Sequence, residues 1–333
     1  MSVDLPKISL KKLQEPNNED YLEDLRKISR EVGTFYLVEH GIDLDLCKKI
    51  QRLAREFFAL PKEEKEKISM LNSAQFRGYS SEGGEYTAGG KDYREQIDLG
   101  IDREPPKWDS NSPLWERLEG LNQYPAALPE LKDNFIEWQR QAGVASLALL
   151  RAFARALELD GGAFDKLYGQ NSYAHSKIIR YPAAFDGNTQ GVGQHKDGGL
   201  ITFVMQEEQA GLQGLINGKW EDVVPLPGSF VVNIGEFLEM ATNGYLKATI
   251  HRVNLSEKER FSVAYFLGVQ LDKNVPIFQL KEKYAKDAKG VDTDPKNPLL
   301  RNVAENYFKR MIRSHPDVAA RHHSDLIKRF QFA

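Results

Sequence analysis

Cysteine is almost missing: Cys47 stands alone in 333 residues. An intramolecular disulfide is therefore excluded, and a reducing compartment is expected. No apolar run approaches the ~20 residues that a bilayer-spanning helix needs. The first residues, Met1-Ser2-Val3-Asp4-Leu5-Pro6, have neither the basic start nor the apolar core of a secretory signal, so a cytoplasmic location is expected. Basic residues are nowhere dense enough to track a phosphate backbone, and a formal charge of −3 gives no net attraction to one, which argues against nucleic acid as a partner. Internal repeats and low-complexity tracts are lacking too. What is present, 41% hydrophobic and 28% charged residues, is the make-up of an ordinary globular protein. A chain of this length buries a sizeable core without disulfides or a structural metal. A small molecule is the expected partner, with no membrane involved. The oligomeric state is left open, and a monomer is plausible.

Periodicity and punctuation divide the chain. Residues 8–10 suggest a short strand, and Asn17 or Asn18 can cap a helix through about Arg30. Gly33 breaks it before the β-branched and aromatic strand Thr34-Phe35-Tyr36-Leu37-Val38. Asp43 can cap a second helix, and Pro61 suits the first position of a short third one. Residues 71–90, rich in glycine and serine, read as a loop, followed by a strand over 96–101. The clearest helix starts near Pro129 and ends at Asp160-Gly161-Gly162. Its apolar positions Leu131, Phe135, Trp138, Ala142, Ala145, Leu149, Phe153 and Leu157 step by three or four and mark one buried face. From Ser172 onward short strand-like runs follow one another, at 177–181, 200–206, 211–216, 229–234, 247–253 and 261–269. Many short strands in series point to an antiparallel sandwich or barrel. The chain then turns polar and ends in expected helices at 303–312 and 317–330.

The segment Gln194-His195-Lys196-Asp197-Gly198 carries chemistry. In an extended strand residues two apart share a face, so His195 and Asp197 can reach one ion. His251 lies in a second β-branched run, Ala248-Thr249-Ile250-His251-Arg252-Val253. If the two strands are neighbours, two imidazoles and one carboxylate occupy one face of a metal and leave positions open, the donor set of non-haem Fe(II) oxygenases. A lone His-x-Asp is common by chance, and a strand histidine is more often a satisfied core residue. The company these residues keep adds weight. Arg260 and Ser262 share a strand face, where a guanidinium beside a hydroxyl suits a carboxylate. Tyr181, in Arg180-Tyr181-Pro182, can add a third hydrogen bond to the same acceptor.

This ordered set (His-x-Asp at 195 and 197, His251, Arg-x-Ser at 260 and 262, Tyr-Pro at 181 and 182) resembles the isopenicillin N synthase-like branch of the iron(II)/2-oxoglutarate-dependent dioxygenases. The N-terminal half is similar as well, in Gly33-Thr34-Phe35-Tyr36-Leu37-Val38-Glu39-His40-Gly41-Ile42, in Phe57-Phe58-Ala59-Leu60-Pro61 and in Arg77-Gly78-Tyr79. The resemblance covers roughly residues 5–275. It implies an α+β fold, a distorted double-stranded β-helix (jelly-roll) core flanked by α-helices. The implied divisions are a helix/strand region over 1–110, a long helix within 111–170, the jelly roll over 171–271 and a helical extension over 272–333. It further implies Fe(2+), 2-oxoglutarate and O2, with His195, Asp197 and His251 on the iron and Arg260, Ser262 and Tyr181 on the far carboxylate of 2-oxoglutarate. Two departures stand out: Ile179 replaces an asparagine common in plant members, and Lys196 fills the middle of His-x-Asp and should point away from the metal.

Substrate contacts are less legible. On the strand after the triad, either Leu200, Thr202 and Val204 or the opposite set with Phe203 and Met205 would line a pocket. Phe266 shares the face of Arg260 and Ser262. Glu85, Tyr86 and Arg94 lie in a segment that in this family reaches over the mouth. The remaining histidines, at 40, 175, 315, 322 and 323, show no partner pattern and read as structural or surface residues. A hydroxylase or desaturase using 2-oxoglutarate leads, ahead of an isopenicillin N synthase-like oxidase that does not use it. A zinc hydrolase and a non-catalytic binding module stand further behind.

Overall fold

The computed structural model describes residues 5–87, 89–169, 173–185, 189–292 and 294–331. Its frame is two facing sheets. The larger has eight strands in the order Lys7–Ser9, Thr34–Val38, Phe230–Ile234, Ile201–Gln206, Arg260–Leu267, Ala174–Tyr181, Glu95–Gly100 and Gly78–Ser80. All neighbours are antiparallel except the first pair. The smaller sheet runs Lys219–Asp222, Leu212–Ile216, His251–Asn254 and Gln190–His195. This is the jelly-roll arrangement, with four strands from the first hundred residues completing the larger sheet.

Strand alternation sends each residue of the larger sheet to one of two sides. Ile201, Phe203, Met205, Val263 and Tyr265 join the main core under the helices, whereas Val204, Val231, Ile179 and Tyr181 face the smaller sheet. The helix Glu130–Ala156 covers the first side. Its predicted stripe, Leu131 through Leu157, is buried at every position. Trp138 meets Tyr265 edge-on and also touches Phe135 and Phe230. Each such fully buried large side chain contributes about 1.5–3 kcal/mol of transfer free energy.

Several expectations need correction. The segment 71–90 is not wholly loop. Gly78–Ser80 pairs with the strand Glu95–Gly100, because Tyr79 is buried beside it, and Tyr86–Thr87 forms a hairpin with Gly90–Lys91. The expected strand 247–253 begins only at His251. Upstream, the Lys247 backbone N–H donates to Ser29 O and Thr249 Oγ1 donates to Val32 O, which holds that stretch to the end of an N-terminal helix. The last expected helix is two pieces, Pro316–His322 and a short 3-10 turn Lys328–Phe330. The strand Lys219–Asp222 and the helix Glu236–Ala241 are additions. The expected division at 170/171 falls at 170–172, outside the described residues.

Candidate active site

His195 is the last residue of Gln190–His195, and His251 is the first of His251–Asn254. The two sit directly opposite each other in register, with ring centroids 4.3 Å apart. Asp197 lies just beyond the strand end, so a turn rather than strand alternation presents its carboxylate. Asp197 Oδ1 is 3.7 Å from His195 Nε2 and 3.6 Å from His251 Nε2. One ligand atom from each residue falls within 4.8 Å of the others, a spacing that can hold one metal ion.

The hydrogen bonds around the triad orient it. His195 Nδ1 is 2.8 Å from Gly193 O, and His251 Nδ1 is 3.0 Å from Thr249 O. A carbonyl only accepts, so each Nδ1 carries the proton and each Nε2 presents a lone pair to the same point. Burial, then the neighbouring His251, push the His195 imidazole well below its ordinary pKa, which keeps it neutral. Asp197 stays below its usual carboxyl value despite a burial that by itself would raise it. Asn233 Nδ2 donates to Asp197 Oδ2 at 3.4 Å, and Thr34 Oγ1 donates to Asn233 Oδ1 at 2.9 Å. Two neutral imidazoles and one carboxylate, all pre-aimed, suit a divalent first-row metal and fit iron(II).

Arg260 stands opposite Tyr181 in the larger sheet, and Ser262 lies opposite Ile179 and Gln206. The Arg260 guanidinium is 2% exposed; Nη1 donates to Ser262 Oγ at 3.2 Å and Nη2 to Gln206 Oε1 at 3.0 Å. The Tyr181 ring lies 5.0 Å from its Cζ, and Nε has no partner. Glu207, which influences Arg260 through space, is itself engaged by Arg55. A buried cation without an anion is costly. The site therefore fits the carboxylate of an anionic co-substrate such as 2-oxoglutarate.

Both groups open onto one cavity of about 740 Å³. Phe266 and Tyr86 are on its wall, as are Thr202 and Val204. Leu200 and Met205 are not: both are buried in the main core. Met205 points to the helix side of its strand, and Leu200 precedes the strand in a bend where alternation does not apply. Lys196 turns to Glu239, its Nζ donating at 2.8 Å.

The sequence reading placed Glu85 and Arg94 near the mouth but missed the charged wall they belong to. His175, read as structural or surface, lines the cavity with its Nε2 2.8 Å from Asp98 Oδ1. Glu85 accepts from Arg94 and Gln96 at 2.6 Å each and from Lys177 at 3.2 Å, and His315 lies 3.6 Å away. The signal was present as polar residues alternating within otherwise apolar strands. Gln96 and Asp98 share a face, as do His175 and Lys177, and Asp98 pairs with Lys177 across the ladder. The helix Val303–Ser314 adds Tyr307, Arg310 and Ser314 to the mouth.

A jelly roll with an inward-facing two-histidine, one-carboxylate group and a buried arginine beyond it defines a class, the non-haem iron oxygenases. Comparisons with known proteins are specific about which. Residues 170–269 match the model of the 2OG-Fe(II) oxygenase superfamily, and residues 5–127 match one described as non-haem dioxygenase in morphine synthesis, N-terminal. The chain is similar to a homoarginine-6-hydroxylase of Arabidopsis thaliana, 35% identical over 274 residues covering 80% of this chain and 82% of the relative. It is similar to a 2-oxoglutarate-dependent dioxygenase of Dothideomycetidae sp., 31% identical with 90% and 86% covered. A full-length Neurospora crassa protein solved with alpha-KG and thymine shares the fold, with a TM-score of 0.77, 22% identity and 92% and 96% covered. The chain belongs to the iron(II)/2-oxoglutarate-dependent dioxygenases. It is an oxidoreductase whose cofactors are Fe(2+), 2-oxoglutarate and O2, and it couples decarboxylation of 2-oxoglutarate to succinate and CO2 with oxidation of a second substrate. The alternative without 2-oxoglutarate is not favoured by these relatives. Among the described residues no helix is long and apolar enough to cross a membrane.

Proposed function

We propose that the chain is a 2-oxoglutarate-dependent hydroxylase of a small, charged substrate of the amino-acid class, working in the cytoplasm. In this reading His195, Asp197 and His251 hold the iron, while Arg260, Ser262 and Tyr181 take the far carboxylate of 2-oxoglutarate. The observation that carries it is the pairing, in one cavity, of three converging ligand atoms with a buried guanidinium that lacks a counter-anion. Iron held there would let O2 act as the oxidant, one oxygen atom going to succinate as 2-oxoglutarate loses CO2 and the other converting a substrate C–H bond to C–OH. The protein's own part is positional. Gly193 O and Thr249 O fix the two imidazoles, Asn233 fixes the carboxylate, and Arg260 sets how deep the co-substrate sits. Val204, Phe266 and Val253 give the cavity apolar wall beside these polar groups. An amino-acid substrate is supported by the charged lining of the outer end and by relatives named homoarginine-6-hydroxylase. The single cysteine, buried and unpaired, supports the reducing compartment.

The test is anaerobic addition of Fe(II) to metal-free protein, then titration with 2-oxoglutarate while the visible spectrum is recorded. A weak, saturable charge-transfer band is expected. It should be absent in His195→Ala and Asp197→Ala. Iron binding without any band would return the isopenicillin N synthase-like reading to first place. With the band in hand, oxygenated assays of a panel of amino acids should show L-homoarginine or another basic amino acid raising succinate release. Stimulation confined to uncharged compounds would remove the amino-acid reading.

A further inference from the structure

Several charged side chains on the cavity wall are already held. Lys177 is held by Glu85 and Asp98, Arg94 by Glu85 and Asp92, Lys196 by Glu239, and Lys309 by Pro298 O. Two that stand beside the metal triad are not. Arg310 and Glu236 line the cavity, and among the described residues neither side chain makes a hydrogen bond or an ion pair. Each influences the other through space, yet they do not pair.

Their placement is built in. Arg310 belongs to a helical stripe of Val303, Tyr307, Arg310, Met311 and Ser314, spaced by three or four, that faces the cavity. Its guanidinium lies on Gly198, the residue after the carboxylate of the triad; a Cβ there would overlap it. Glu236 stands on the other flank of the same turn. Its backbone N–H donates to Asp197 O at 2.7 Å, and Gly235 packs so closely on Gly199 O that a Cβ would not fit. Arg260 and Arg310 thus each lack a bonded acidic partner in one cavity, as does the more exposed Arg313 on the same helix. Arg260 lies at the buried end and Arg310 beside the triad, with an unmatched carboxylate near the second.

We propose that Arg310 and Glu236 are the two poles of the substrate site, Arg310 taking the carboxylate and Glu236 a cationic group of a zwitterionic basic amino acid. The proposal rests on the amino-acid reading above and deepens it. One co-substrate satisfies Arg260, while Arg310, which meets Asp197 and Glu236 only through space, is left without a bonded anion. Glu236 beside it rejects a simple dianion and accepts a molecule that carries both signs. Arg310 lies outside the span of both matched family models, on the C-terminal helix.

The test uses full-length protein loaded anaerobically with Fe(II) and 2-oxoglutarate, reading binding as the substrate-induced shift of the charge-transfer band. The probes are L-homoarginine, its methyl ester, its Nα-acetyl derivative and L-homocitrulline, which replaces the guanidinium with a neutral urea. Arg310→Met should weaken L-homoarginine by roughly 30-fold or more, as expected for truncating one partner of a desolvated charge pair. Arg310→Lys should recover part of the loss. The 2-oxoglutarate titration should be unchanged in both. The methyl ester should bind wild type about as weakly as the acid binds Arg310→Met, with little further loss in the variant. Glu236→Gln should weaken L-homoarginine but add little to whichever analogue lacks the cation it contacts, the acetyl derivative for the α-ammonium or homocitrulline for the guanidinium. Equal binding of acid and ester by wild type overturns the anionic pole, even if Arg310→Met fails to fold. Unchanged affinity in Glu236→Gln overturns the cationic pole. If 2-oxoglutarate gives its band but no basic amino acid shifts it, the amino-acid reading falls and the poles fall with it. Failure of the poles alone leaves amino-acid turnover intact.

Discussion

Arg260 and Arg310 are the same side chain under opposite constraints. Arg260 sits on a strand of the larger sheet, 2% exposed, bonded only to neutral groups, and burial pushes its pKa down. Arg310 sits half-buried on a helix, its guanidinium against Gly198. Replacing Arg260 should show in one ligand alone. In Arg260→Ala the 2-oxoglutarate concentration needed for half-saturation should rise by about two orders of magnitude, within the 2–5 kcal/mol attached to a buried charged contact. Iron binding should stay near that of wild type, because the guanidinium does not touch the triad. Equilibrium iron binding and the 2-oxoglutarate titration, run on one preparation, separate the two effects. At this scale the triad was legible because two of its members are among only seven histidines and stand with Asp197 in a recognisable order. Glu236 and Arg310 were not, since each is common and their lack of partners is a property of the folded state. The charged wall of Glu85, Asp98 and His175 falls between these cases. Its alternation was visible, but the ladder that pairs Asp98 with Lys177 was not.

Elements were legible where one rule governed a long stretch. The helix Glu130–Ala156 shows this, since a stripe stepping by three and four has one solution over 27 residues. The same helix supplies its own control. Phe153 is fully buried in the main core, whereas Val144 is 60% exposed. Phe153→Ala should cost about 3–5 kcal/mol of unfolding free energy, and Val144→Ala should stay within about 0.5 kcal/mol. Urea denaturation with a shared slope distinguishes them; equal losses would mean that the stripe does not anchor the helix. Short elements were less legible because alternation depends on where a strand begins. Leu200 was grouped with Thr202 and Val204, yet the strand starts at Ile201 and Leu200 turns into the core. In 247–250 the β-branched run suggested a strand, but backbone and hydroxyl contacts to residues 29 and 32 hold it elsewhere.

At the scale of the molecule, the cavity joins parts that are far apart in sequence. Tyr86 and Arg94 come from the first hundred residues, the triad and Arg260 from the sheets, and Tyr307 and Arg310 from the helix Val303–Ser314. Ligands that bind this cavity therefore stabilise the whole fold, by an amount set by concentration over dissociation constant, about 2.7 kcal/mol at a hundredfold excess. The order of addition should matter. Arg260 and Ser262 can hold only one end of 2-oxoglutarate, while the other end needs a metal at the triad. 2-Oxoglutarate alone should thus raise the melting temperature little, Fe(II) alone should raise it measurably, and the two together should exceed the sum of the separate shifts. Asp197→Ala should abolish the metal shift and the excess together. Arg260→Ala should keep the metal shift and lose most of the excess. Anaerobic thermal denaturation of wild type and both variants measures all of these. Strict additivity in wild type would mean that metal and co-substrate bind apart, which would overturn the shared-site reading of the triad and Arg260.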